Sequence, residues 1–177
     1  MSEKTPGIAW SGPPDPERGV YYPIRSPKPG REVVGVVLSE TITGAIVYYE
    51  PAGPDERRGR SRPCNGDKKT CEGCLGGRDH VWKGYLACWD RQSGRLFLAE
   101  VTREAYLRCP MFELFKGALR AKLLRLTRNG EHANARVGAR LEDLRVAGES
   151  LPPAFNVKSA LERLWFGGDG PQAVTVA

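Results

Sequence analysis

An all-β fold with one helix, five strands forming a small barrel with a cysteine-bearing loop inserted after the first strand, is what this 177-residue sequence predicts. Three observations carry that prediction. β-Branched and aromatic residues recur in runs of strand length. Two of those runs are joined through Gln92-Ser93-Gly94, which has hairpin turn chemistry. Three cysteines sit together in the one long polar segment.

Residues 1–30 hold Pro6, Pro13, Pro14, Pro16, Pro23, Pro27 and Pro29 with glycines and charges and no apolar period, the composition of a flexible N-terminal arm. REVVGVVLS from Arg31 and GAIVYYE ending at Glu50 read as two strand segments or one long bent strand. A polar loop fills 51–80. VWKGYLACWD and RLFLAEVT then form the hairpin, and Thr102 is placed to cap a helix over REAYLRCPMFELFKG, with Pro110 either kinking it or opening a second one. ALRAKLLRLTR and ANARVGARLE supply the last two strands, linked through Asn129-Gly130.

Five strands with a helix between the third and fourth is an OB-like order over residues 31–147, with an SH3-like barrel or another small β-sandwich as alternatives. Residues 148–177 add a C-terminal helix and tail. Val157, Leu161, Leu164 and Trp165 share one face of that helix, which either packs on its own domain or docks a protein partner or a second copy.

Lys and Arg number 27 against 21 Asp and Glu, a formal charge of +6 that favours polyanionic partners. No apolar run approaches the roughly 20 residues that cross a bilayer, and the N-terminal stretch lacks a signal-peptide core, so the expected location is cytoplasmic with no membrane partner. Five cysteines, an odd number with three inside eleven residues, suit a metal site better than a disulfide framework.

Cys64, Cys71 and Cys74 are spaced C-x6-C-x2-C, with Gly73 inside the C-x2-C knuckle and Gly76-Gly77 after it. Two thiolates two residues apart converge on one ion when the turn is tight, and glycine permits the positive φ such turns use. A structural zinc needs a fourth ligand. His80 is the first choice and Cys88 its rival, although about 3.3 Å per strand residue carries Cys88 far from the knuckle and into line with Trp82 and Leu86, as a core thiol. A remote group, a water or a ligand from another chain are the other options. Without metal the cysteines would be surface thiols or a redox pair. Cys109, before Pro110, reads as a core thiol.

Basic residues gather in the loop at Arg57, Arg58, Arg60, Arg62, Lys68 and Lys69. Strand alternation sets Lys83, Tyr85 and Trp89 opposite Trp82, Leu86 and Cys88, a mixture of cation and rings suited to single-stranded nucleic acid. Arg120, Lys122, Arg125, Arg136 and Arg140 add charge on the last two strands, against the reading of a merely solvated face.

An OB-like order with a cysteine-rich zinc insertion between the first two strands resembles the helix-destabilising, single-stranded DNA-binding proteins of T4-type bacteriophages, over roughly residues 30–145 and through the trailing Cys71-x2-Cys74. The resemblance implies a role in binding single-stranded DNA. That family's histidine ligand lies upstream of its first cysteine, where this chain has Tyr48 and Tyr49, and its acidic C-terminal tail is replaced by QAVTVA. The expected function is therefore zinc-stabilised binding of single-stranded nucleic acid, DNA foremost and with little sequence preference, in replication, recombination or repair. A zinc-stabilised adaptor between proteins of a nucleoprotein complex is the alternative. With two histidines, no H-E-x-x-H, no Walker loop and no H-x-E paired with P-C-x-x-C, no enzymatic activity is expected.

Overall fold

A computed structural model describes residues 20–52, 59–132, 134–144, 151–166 and 172–173. Two short strands, β1 (Val20–Tyr21) and β2 (Ile24–Arg25), precede β3 (Val33–Val37) and β4 (Thr43–Glu50). The cysteine loop carries β5 (Arg60–Pro63) and the single-turn helix α1 (Glu72–Leu75). Then come β6 (His80–Asp90), β7 (Arg95–Thr102), α2 (Arg103–Arg108), α3 (Met111–Leu114), β8 (Lys122–Arg128), β9 (Val137–Asp143), α4 (Val157–Phe166) and β10 (Gln172–Ala173).

The main sheet runs β2-β7-β6-β3-β8-β9, with β4 also on β6 and β5 on β4. β3 and β4 share β6 between them: Val36 pairs with Trp89 near one end, and Thr43 to Tyr48 pair with Tyr85 to His80 at the other. The two runs are thus separate strand segments that share one neighbour. The sheet is open. No hydrogen-bonded pairing joins β7 to β9 among the described residues, so the barrel expected from the strand order does not close, and α2 packs in that region against β6, β7 and β9.

Local chemistry explains the elements. Gly94 turns the β6–β7 hairpin with φ +66, and the Asp90 carboxylate accepts from the N–H groups of Gln92 and Ser93. Thr102 Oγ1 accepts from Ala105 N at 3.2 Å and starts α2. Pro110 ends that helix and opens α3, the second of the two options at that proline. β5 was expected to be loop, since Arg60-Ser-Arg-Pro63 has no strand pattern; pairing with β4 from Glu50 to Val47 imposes it.

Both faces of the sheet are buried. On one, Leu86 and Cys88 of β6 pack with Val37, Phe97, Leu124, Leu126, Val137 and Leu141 beneath Ala105, Cys109 and Phe112. On the other, Tyr85 and Ala87 pack with Leu38, Val47, Leu96 and Leu98 beneath Val157, Ala160, Leu161 and Trp165 of α4. The C-terminal helix thus packs on its own domain. Tyr22 and Ile24, assigned to the arm, enter this second core: Tyr22 is buried and stacks on Phe155 with ring centroids 3.7 Å apart, and β2 pairs in parallel with β7. Residues 1–19 lie outside the described residues.

Gly44 and Gly84 face each other across β4 and β6, and the Trp82 indole lies over both. A Cβ on Gly44 would meet Trp82 Nε1 at 2.5 Å, and one on Gly84 would meet Cη2 at 2.7 Å. Only glycine leaves this slot open. No helix among the described residues is long and apolar enough to cross a membrane.

Candidate metal centre and sheet groove

Cys64 follows β5, Cys71 caps the start of α1 and Cys74 lies within it, and His80 opens β6, so three backbone segments deliver the four ligand atoms. The four atoms lie within 4.8 Å of one another. Cys64 Sγ is 3.8 Å from Cys74 Sγ and 3.7 Å from Cys71 Sγ, and Cys74 Sγ is 3.5 Å from His80 Nε2. A tetrahedral ion bound by sulfur at about 2.3 Å and nitrogen at about 2.0 to 2.1 Å needs S···S edges of about 3.8 Å and S···N edges of about 3.5 Å. The spacing is that of a Cys3His metal site.

The loop is shaped by short side chains reaching its own backbone. Asn65 Oδ1 accepts from Asp67 N, and Asp67 accepts from Lys69 N and from the Thr70 hydroxyl. These bonds hold the Asp67 carboxyl below its ordinary range. Gly66 adopts φ +80 and its N–H approaches Cys64 Sγ at 3.4 Å. Gly77, at φ +61, supplies the positive φ expected after the knuckle. Gly73 does not; it is needed because α1 presses on Tyr48, whose ring carbon Cδ1 would be 2.4 Å from a Cβ there.

The thiols share their protons unequally. Burial raises the Cys71 thiol, yet donors from the Cys74 backbone, His80, Cys64 and the Asn65 backbone overcome it and pull Cys71 down to about 6. Burial and the neighbouring sulfurs of Cys71 and Cys64 push Cys74 up to about 11. Sulfurs 3.7 to 3.8 Å apart repel one another as thiolates, and a cation bound among them would relieve that repulsion. Cys88, the rival ligand, is fully buried in the first core, where burial drives its thiol far up.

The expected nucleic-acid face fares differently. Tyr85 is fully buried against Trp165, with centroids 5.9 Å apart, and cannot stack on a base in this conformation. Lys83 is paired with Glu100 at 2.9 Å and bonds Ser61. Arg120 donates to Leu38 O and Pro152 O, a structural tie. Lys122 is bound to Asp143 and lies over the Phe115 ring. Arg136, just before β9, pairs with Glu104 of α2, and Arg140 pairs with Glu142 along β9. Arg60 and Arg62 both hold Glu50, whose carboxyl they keep below its ordinary range. Lys68 and Lys69 are exposed on the metal loop, and Arg58 lies outside the described residues.

Trp89 and Arg125 do meet, in a groove of about 470 Å³ lined also by Val36, Leu123, Arg25, Arg91, Glu32 and Asp90, where Arg125 pairs with Glu32 at 3.3 Å. Trp89 is half-buried, and its indole N–H, shielded from solvent, has no hydrogen-bond partner among the described residues. Arg25 reaches the groove from β2, bonded to Asp90 at 2.9 Å and stacked over Phe97. Arg25 and Arg91 were missed in the sequence because one lay in the presumed arm and the other in a turn.

Comparison with protein-family models, curated proteins and solved structures finds no match to this chain.

Proposed function

We propose that this chain is a zinc-stabilised binding protein for single-stranded nucleic acid, its strand order an OB-like arrangement left open between β7 and β9. Zinc is favoured by the donor set: three thiolates and an imidazole at tetrahedral spacing suit a closed structural zinc and leave no open position for catalysis. Bound there, the ion would supply folding free energy to a loop with little apolar burial of its own.

The single observation that carries the nucleic-acid reading is the groove, where one half-buried indole meets Arg25, Arg91 and Arg125 over the apolar floor of Val36 and Leu123, with Asp90 and Glu32 as exchangeable ion-pair partners of Arg25 and Arg125. Rings stack on bases without regard to sequence, and guanidinium groups pair with phosphates. Roles in replication, recombination or repair follow from that chemistry and from the resemblance to T4-type helix-destabilising proteins.

Fluorescence anisotropy of labelled single-stranded DNA, RNA and duplex across a salt series tests it. Single strands should bind, more weakly as salt rises. Trp89→Ala should weaken binding by roughly 5- to 150-fold, the value of one stacked base. No binding at low salt by protein that carries zinc would sink the reading and move the role to that of a protein adaptor.

A further inference from the structure

α4 lies on the sheet face that presents Trp89, one wall of the groove. Trp89 packs against the cluster in which Tyr85, Leu96 and Leu98 meet Leu161 and Trp165. The aromatic strip Tyr85–Trp89 is therefore open at one end and covered by α4 at the other. The covered end is not fully satisfied, since the buried Tyr85 hydroxyl has no hydrogen-bond partner among the described residues. Opening to water would satisfy it.

The C-terminal end of α4 is held by the metal loop. Arg62, two residues before Cys64, donates from Nη1 to Trp165 O at 2.5 Å while its Nε holds Glu50 at 2.8 Å. That carbonyl belongs to the last turn of the helix, where cations are favoured. Phe166, Arg62, Pro63 and Cys71 line one crevice of about 260 Å³, so the helix end and the metal ligands share a wall.

We propose that the metal centre latches α4. With the four ligands gathered, β5 is pinned at its Cys64 end and presents Arg62 to Trp165. When the ion is lost, that end loosens, the Arg62–Trp165 bond goes, and the C-terminal half of α4 lifts from Tyr85 and Leu98. The uncovered strip extends the groove. The use made of the extra surface rests on the nucleic-acid reading; the latch itself does not.

Hydrogen exchange of the full chain, with zinc bound and after chelation by EDTA, tests the latch. Amides 161–166 should exchange at least about tenfold faster without zinc, because an undocked ten-residue helix frays. Amides of β3 and β8 should not change. Arg62→Met with zinc bound should reproduce the acceleration in α4 alone. Unchanged α4 exchange on chelation, or full protection in Arg62→Met, would overturn the latch. So would loss of protection throughout β3 and β8, since the metal would then hold the whole fold. Anisotropy of a labelled oligonucleotide on the same samples separates the two ideas. Tighter binding by the zinc-free protein supports both, whereas α4 release with no binding in either state leaves the latch standing and removes the nucleic-acid reading.

Discussion

The sheet and the cysteine loop are stabilised in opposite ways. Each face of the sheet is buried by a dozen or more side chains whose contributions are individually modest, about 1.5 to 3 kcal/mol for a buried Leu, Val or Phe. The loop buries Cys71 and Gly73, and its geometry depends on four ligand atoms and a few Asx-type bonds. Stability is spread thinly in the one and concentrated at a point in the other, so equally small substitutions should have very unequal reach.

Cys71→Ser should have the largest effect. Zinc content should fall from about one per chain toward none, with a loss of loop stability drawn from the roughly 10 to 16 kcal/mol typical of structural zinc. Far-ultraviolet circular dichroism should keep its sheet signal; loss of the sheet would abolish the contrast between the two regions. Phe97→Ala should cost about 3 to 5 kcal/mol in urea unfolding while zinc content stays at about one. Zinc lost together with the core would show the two regions to be one cooperative unit.

Gly73→Ala brings both regions into play, because its methyl would strike Tyr48 from within the knuckle. A loss of about 1 to 3 kcal/mol with weakened zinc affinity is expected, and wild-type affinity would contradict the close approach. In the metal-free protein Cys71 has its thiol lowered from an ordinary 9.0 to about 6. Its contribution to stability is therefore complete above about pH 9 and lost as pH falls through about 6. A thiolate absorbance titration should find one thiolate persisting to about pH 6, and a midpoint near 9 for every thiol would refute it. Thr102→Ala, which removes only a helix cap, should cost about 1 kcal/mol in urea and leave zinc content unchanged.

The same contrast governs what could be read from the sequence. Cys64, Cys71, Cys74 and His80 were legible because ligand spacing is local and the required geometry is known in advance. Alternation along β6 correctly separated Leu86 and Cys88 from Tyr85 and Trp89, since period two is dictated by the strand. Alternation says nothing about what lies above a face, so Tyr85 was read as open until α4 covered it. β5 was invisible for a related reason: its four residues are strand because β4 and Cys64 hold them there, not because of their own propensity. Barrel closure likewise depends on how β9 meets β7, a long-range matter that strand order alone does not decide. The function of Gly73 was misread because a glycine needed for positive φ and one needed for a neighbour's ring look alike in sequence.

The indole slot at Gly44 and Gly84 has a consequence for the metal centre. It works as a registration mark between β4 and β6: sliding one strand by two residues would drive a side chain into the Trp82 ring. With that mark in place, Tyr48 sits opposite His80, and Ile46 O receives the Cys64 N–H at 2.8 Å. The slot thus sets the height at which cysteine and histidine arrive, and two glycines with no chemistry of their own fix the spacing of the four candidate ligands.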